Sequence, residues 1–385
     1  MKKTKSIISA FLTVVLILSL FERTKAKVNY QGYETWTMKD ASFFTNIKNG
    51  DKAKAKGGKN TLSTTGVQGM NVGEKYLYHA KIHHGEETAV SIFRTDIAKK
   101  DTIEMDCSGC YNAGHANDIL VIIDKDNVKH LLITTAKKEN PIASFKVKGN
   151  KLTFTGFIKL LYNKKPLYVS GVRLFERDSR KGIYYLLFKY KETFYHGQIK
   201  EAELSGKKTI NIYQLAILDK KNAVFVNGKD FEKENKKYYR NLETWVGQGF
   251  AYNPKTKIVY TPYFSPTDGD VNLNSLLLYD VSKVFISRII KKEKDNSPVP
   301  VIFPLRTSYL LKASDRNYEG LEIEACGFRT GQGTKGDQKM YCNANIFSKN
   351  KPNIVEKISY HFTDKEHGGD AIFTFKNITS LNRTS

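Results

Sequence analysis

Gln248-Gly249-Phe250-Ala251-Tyr252-Asn253-Pro254-Lys255-Thr256-Lys257-Ile258-Val259-Tyr260-Thr261 reads as a strand, a tight turn and a returning strand. Phe250 and Tyr252 alternate on the way out, and Ile258 and Tyr260 on the way back, with the two-residue period of a pleated strand. Asn253-Pro254 supplies the turn, because proline fixes its own φ and pushes the preceding residue out of helix. The Gln-Gly pair that opens this unit occurs again at Gln68-Gly69, also ahead of a hairpin. Three further pairs, Gly114-His115, Ser170-Gly171 and Glu319-Gly320, precede runs of the same kind.

Outward from these five openings the chain is a succession of short strands. Tyr76–Ile82 and Ala89–Phe93 flank His83-His84-Gly85. Ile119–Ile123 and His130–Thr135 are turned by Asp124-Lys125-Asp126-Asn127. Ile183–Tyr190 and Thr193–Ile199 follow Ser170-Gly171, and Leu276–Tyr279 follows the Gln248 hairpin. Met340–Ile346, Ile354–Phe362 and Ile372–Phe375 complete the chain. Four strands in a unit of roughly 40 to 50 residues is the period of a propeller blade. The reading is therefore all-β: a five-bladed β-propeller with an N-terminal extension, its alternative being a β-sandwich with long insertions. Glycine at each opening suits strands that crowd about an axis. The expected divisions are a signal peptide over 1–26, an extension or loop over 27–65, the propeller over 66–378 and a tail over 379–385.

Composition agrees with strands. Tyr and Phe number 22 each, aromatics make up 12% of the chain, and three-four spaced apolar runs are absent beyond the N-terminus. Lys2, Lys3 and Lys5 precede an apolar stretch from Ile7 to Phe21, and Thr24-Lys25-Ala26 offers small residues for cleavage. That stretch is short against the ~20 residues of a bilayer span. A secreted, extracellular chain with no transmembrane segment after cleavage is expected, acting as a monomer. The formal charge of +23 favours polyanions such as teichoic-acid-bearing walls. Lys220-Lys221, Lys236-Lys237 with Tyr238-Tyr239-Arg240, and Arg288 to Lys294 mix cations with aromatics. In an exported protein these point to wall polymers, and no nucleic acid partner is expected.

In an oxidising compartment four cysteines suggest disulfides, with three possible connectivities. Cys326 and Cys342 flank a Gly-rich loop and would staple a hairpin, whereas Cys107-Ser108-Gly109-Cys110 lacks a second CxxC and suits a local structural bridge. Asp268-Gly269-Asp270, His83-His84 and Asp364 to Asp370 lack metal-site spacing, and no GxSxG, P-loop or GxGxxG is present. No catalytic residue, metal or cofactor is assigned. Glu319 and Glu322 alternate to opposite faces, and Glu322 and Glu324 share a face expected to be solvated, which argues against a glycosidase pair.

The sequence resembles the helveticin-J family of large bacteriocins. The resemblance is carried by Gln68, Asn71-Val72-Gly73, Lys75-Tyr76, Tyr78, Gly85, Thr88 and Arg94, then Gly114-His115, Gln248-Gly249-Phe250, Glu319-Gly320-Leu321-Glu322-Ile323 and Cys342, in one order. It implies a propeller-like antibacterial protein and supplies no catalytic motif. Asn253-Pro254-Lys255-Thr256-Lys257 replaces an acidic hairpin of that family. The expected ligand residues are Gln68, His115, Gln248 and Glu319, converging on one mouth of the central channel. The expected function is a secreted bacteriocin that binds a cell-wall polyanion or glycan of competing bacteria and inhibits them. A carbohydrate-binding adhesin without killing activity and a cell-wall hydrolase are the alternatives.

Overall fold

The computed structural model describes residues 41–46, 64–83, 86–218, 245–265, 273–281, 305–311, 318–329, 339–348 and 370–376. The expected leader, the tail and the three cation–aromatic runs lie outside these residues. So do Ile354–Phe362, Asp268-Gly269-Asp270 and His84.

The chain is a five-bladed β-propeller. Each blade is an antiparallel meander whose first strand is innermost. Blade I comprises Thr64–Val72, Tyr76–His83, Glu86–Asp96 and Thr102–Glu104. Blade II runs through Asp118–Ile123, Lys129–Thr134, Ile142–Lys148 and Lys151–Tyr162. Asp106–Ser108 and Lys208–Asn211 add to the last of these in parallel. Blade III comprises Gly171–Asp178, Ile183–Tyr190, Thr193–Lys200 and Tyr213–Ile217. Blade IV holds Ala251–Asn253 with Val246–Gly247, then Ile258–Ser265, Leu273–Asp280 and Leu305–Leu311. Blade V holds Tyr318–Phe328, Lys339–Ser348 and Asp370–Lys376, and its outer strand is Ala41–Asn46 from the start of the chain. The stretch expected to be an extension thus contributes a strand to the last sheet, and blade I begins at Thr64. The inner strands pack in circuit, I on II, II on III, III on IV, IV on V, and V back on I.

The opening hairpin folds as its sequence directs. Asn253 Oδ1 accepts from the N–H groups of Lys255 (3.0 Å) and Thr256 (3.3 Å), an Asx turn, and Lys257 takes φ of 58° to return the chain. The alternation expected of it is only half the story. Phe250, Ala251, Tyr252, Ile258, Val259 and Tyr260 are all buried. A blade is covered on both faces by its neighbours, so its strands read as near-continuous apolar runs, as in Ile119–Ile123.

The core is accordingly a set of wedges between blades. Ile119, Leu131 and Phe145 meet Tyr78 and Ile92 between I and II. Leu120 and Ile122 meet Val172 and Leu186 between II and III. Between III and IV the packing is aromatic, Phe175 stacking on Tyr252 (4.8 Å) and Phe194 meeting Phe250 edge-on (5.1 Å). Tyr260 and Leu278 face Ile323 and Met340 between IV and V, and Val67 and Met70 face Ala325 and Tyr341 between V and I. Full burial of a side chain such as Phe250 is worth about 2–3 kcal/mol. Disulfides join Cys326 to Cys342 across two strands of blade V, and Cys107 to Cys110 in a local loop.

Candidate functional site

An innermost strand has a free edge toward the axis, where backbone groups lack a ladder partner. A buried group left so costs ~1–3 kcal/mol, so something must meet it. Arg173, on the inner strand of blade III, does. Its guanidinium donates to the carbonyls of Met70 in blade I (3.4 Å), Ile119 in blade II (3.3 Å), Val172 in its own strand (2.7 Å) and Cys326 in blade V (2.9 Å). It lies 5.2 Å from the ring centroid of Phe250 in blade IV and pairs with the carboxylate of Asp118 in blade II. One side chain, 4% exposed, touches all five blades at the hub.

Asp118 is fully buried. Its Oδ1 accepts from the Ile119 N–H (2.9 Å), and Oδ2 accepts from the Val172 N–H (2.9 Å) and from Arg173. Burial pushes its carboxyl up to about 6, and the charge of Arg173 and these donors only partly offset that.

The contacts of Arg173 mark one residue per blade at a common level: Met70, Ile119, Val172, Phe250 and Cys326. Two residues earlier stand Gln68, Asn117, Ser170, Gln248 and Glu324, all of them polar. Between these two levels lie Gly69, Asp118, Gly171, Gly249 and Ala325. In four blades this residue is glycine or alanine because the backbones nearly touch, and in blade II it is Asp118, whose side chain turns to Arg173. A Cβ on Gly69 would come within 2.4 Å of the Asp118 Cα, and the Gly69 N–H donates to the Ala116 carbonyl at 2.8 Å. The Gly249 N–H likewise donates to the Glu324 carbonyl at 2.9 Å.

The polar level is cross-linked around the mouth. His115 Nδ1 lies 2.6 Å from Asn117 Oδ1, and Asn117 Nδ2 donates to the Tyr168 hydroxyl at 2.9 Å. Ser170 Oγ donates to the Lys189 carbonyl (3.2 Å), and the buried Lys189 ammonium donates to the Gln248 carbonyl (2.5 Å) while lying 5.4 Å from the Tyr263 ring centroid. Asn343 donates to the Gln68 carbonyl (2.6 Å), and Asn345 donates to Glu324 Oε1 (2.9 Å) while accepting from the Val67 N–H (2.9 Å). Gln68, His115, Asn117, Ser170 and Gln248 are half-buried, Glu324 fully so. This mixture of amides, hydroxyl, imidazole and carboxylate can both donate and accept.

Of the four residues expected at the mouth, Gln68 and Gln248 stand at this level and His115 sits two residues upstream of Asn117. Glu319 lies near the start of Tyr318–Phe328, five residues before Glu324, which occupies the corresponding place; the side chain of Glu319 is outside the described residues. Glu324, expected to be solvated, is buried because blade I covers that face. Asn117, Asp118 and Arg173 carried no expectation, and Ser170 entered only as part of an opening pair, not as a ligand residue. Arginine between Val172 and Leu174 is the signal available for the hub, since an isolated cation inside an apolar strand demands a partner. Among the described residues no three His, Cys, Asp or Glu side chains gather to hold a metal ion.

No family model matches the sequence, and no curated protein matches it. Among solved structures the chain is similar to the tail fibre of Staphylococcus aureus phage P68, with TM-score 0.45 and 9% identity over 88% of this chain and 53% of that one. The chain thus spans about half of that fibre protein. It is also similar to an α-L-arabinofuranosidase from Lactobacillus brevis (TM-score 0.41, 10% identity, 82% and 91% covered). A third is the α-L-arabinofuranosidase of Podospora anserina (0.39, 8%, 89% and 96%). At these scores the likeness carries over no residue and no reaction.

Proposed function

We propose that the protein binds a polar glycan of a bacterial envelope at the axial mouth, without cleaving it. The observation that supports this is the ring itself: every blade sets a hydrogen-bonding side chain at one level, above a hub that Arg173 fills. Sugar hydroxyls donate and accept together, and the amides of Gln68, Asn117 and Gln248 suit them. Tyr168 accepts from Asn117, and Tyr168 and Tyr190, half-buried with ring centroids 5.3 Å apart, offer apolar surface to a sugar face. Cleavage is not part of the proposal, because both Asp118 oxygens already accept hydrogen bonds that hold the hub together.

The test is a pull-down on purified bacterial walls, at low and high salt, with the wild type and the Gln248→Ala and His115→Ala variants. Both variants are expected to lose at least about tenfold in retention, the ~1.4 kcal/mol of a lost hydrogen-bonding side chain, with an unchanged melting transition. Retention equal to wild type in both would overturn the axial site, and release of soluble muropeptides or reducing sugar would replace binding with hydrolysis. Export, and inhibition of the bound bacteria, are the finer reading. They rest on the leader and on the helveticin-J resemblance, and a zone-of-inhibition assay with culture supernatant tests them.

A further inference from the structure

Three cations meet over one ring at the junction of blades I and II. The Tyr76 centroid lies 4.1 Å from the Arg94 guanidinium carbon, 5.1 Å from Lys75 Nζ and 5.7 Å from Lys129 Nζ. Lys75 is exposed, with Tyr76, Arg94 and Lys129 half-buried beneath it. The residues come from separate places. Lys75 immediately precedes and Tyr76 begins the second strand of blade I, Arg94 lies opposite Tyr78 in the third, and Lys129 begins the second strand of blade II. Fold, not a run of lysines, assembles the cluster. Arg94 also donates to the Gly149 carbonyl (2.9 Å) and to Asn150 Oδ1 (2.6 Å), residues that the exposed Lys148 and Lys151 flank in the chain. From the other side, Arg329 Nε donates to the Glu74 carbonyl at 2.7 Å.

Among the described residues counter-charge is scarce at the cluster. Asp96 approaches Lys75 only to 4.0 Å and is occupied by the N–H groups of Ala98 and Lys99. The acceptors that Arg94 reaches are neutral. Like charges gathered this closely repel, and the ring quadrupole offsets part of that repulsion. An anion placed among them would offset more. With three cations over it, Tyr76 is committed to holding charge and is not open to stack a base, which sets this patch apart from the stacking platforms of nucleic-acid binders.

We propose that Lys75, Arg94 and Lys129, arranged by Tyr76, form a docking site for a phosphodiester polymer that carries no bases, of the polyol-phosphate kind. The site is separate from the axial mouth and goes beyond the glycan reading. Lys75 follows the C-terminal end of the first inner strand, whereas Gln68 lies two residues before the hub contact of Met70.

The experiment measures binding of a poly(glycerol phosphate) chain across a salt series, with single-stranded DNA of equal charge as comparator. Lys75→Gln/Lys129→Gln is set against Lys164→Gln/Lys165→Gln, an exposed pair at the edge of blade II, which removes the same charge elsewhere. The cluster variant is expected to weaken polymer binding about tenfold at low salt and to reduce the salt slope by about 1.4, two contacts at ~0.7 each for a flexible strand. The control pair should do neither, and Gln248→Ala should leave polymer binding unchanged. Equal loss in the two lysine pairs, tighter binding of the DNA, or no polymer binding by the wild type would each overturn the proposal. Because the one ion pair that these side chains make among the described residues is the 4.0 Å approach of Lys75 to Asp96, worth little at an exposed lysine, the variants should keep the wild-type melting transition, which is measured alongside.

Discussion

Arg173→Met keeps the length of the side-chain stem and removes every donor of the guanidinium from the hub. The Asp118 carboxylate, fully buried, would lose its charge partner, and breaking a buried ion pair from one side costs about 3–5 kcal/mol. The Val172 (2.7 Å) and Cys326 (2.9 Å) carbonyls would each lose a well-formed bond, about 1 kcal/mol apiece. The contacts at 3.3–3.4 Å to Ile119 and Met70 are long enough to add little. A loss of about 5–7 kcal/mol is expected. Urea unfolding followed by circular dichroism and by tryptophan fluorescence would read it, with coincidence of the two probes checking two-state behaviour. Arg173→Lys should recover only part of the loss, because it returns a charge to Asp118 but one ammonium cannot also fork across blades I and V. Adding Asp118→Asn to Arg173→Met should restore roughly 2 kcal/mol by removing the stranded charge. If Arg173→Met costs less than about 1 kcal/mol, the five strands hold their circuit without it and the hub assignment fails.

Acid should destabilise the fold. His79 is buried beside Thr95 (2.9 Å) and stacked on Phe93, and burial, aided by Lys81, lowers its pKa to about 3. Burial takes His196 to about 4. Both stay neutral when folded while the unfolded chain protonates below about 6.5, so each contributes stability that is complete above that pH. That contribution falls by roughly 1.4 kcal/mol per pH unit down to the folded value. Asp118, held up near 6, works in the opposite sense between about 4 and 6 and cancels part of this loss. A thermal-melt series from pH 7.5 to 4 should show the decline, and His79→Phe should flatten it; a melting temperature independent of pH would contradict the burial of both histidines. Cys326→Ser/Cys342→Ser, opening a bridge across 16 residues, should cost about 3 kcal/mol by loop entropy, and Cys107→Ser/Cys110→Ser, across 3, about 1.6. Urea midpoints of the oxidised variants measure both, and the reverse order would contradict that account.

Much of the architecture was legible because propeller strands are local. Ile183–Tyr190 appears in the sequence with the bounds it has in the fold, and the Asn253-Pro254 turn carries its own chemistry in one side chain and one fixed φ. Ala41–Asn46 was not legible. It is short, and its partner Asp370–Lys376 lies at the far end of the chain, so no local pattern marks it. The polar ring was half legible for a related reason. Gln68 and Gln248 share a visible Gln-Gly pair, but Ser170-Gly171 and Glu324-Ala325 share only polarity, then small size, and Asn117-Asp118 only the polarity. Glu319-Gly320 imitates the visible pair five residues too early.

The sequence by itself determined many of the strands and turns and the number of blades, because hydrogen-bonded meanders and their turns are set by neighbours along the chain; Ile142–Lys148, Lys151–Tyr162 and Leu305–Leu311 were not among the strands read from it. Tertiary structure alone decided the hub and the register at which the blades meet. Arg173 finds its partners at Met70, Asp118, Phe250 and Cys326, and which carbonyl faces the axis depends on how deeply each blade slides inward. That depth is fixed by packing between blades, where a Cβ too many at Gly69 would collide with Asp118, and such a contact exists only once the circuit has formed.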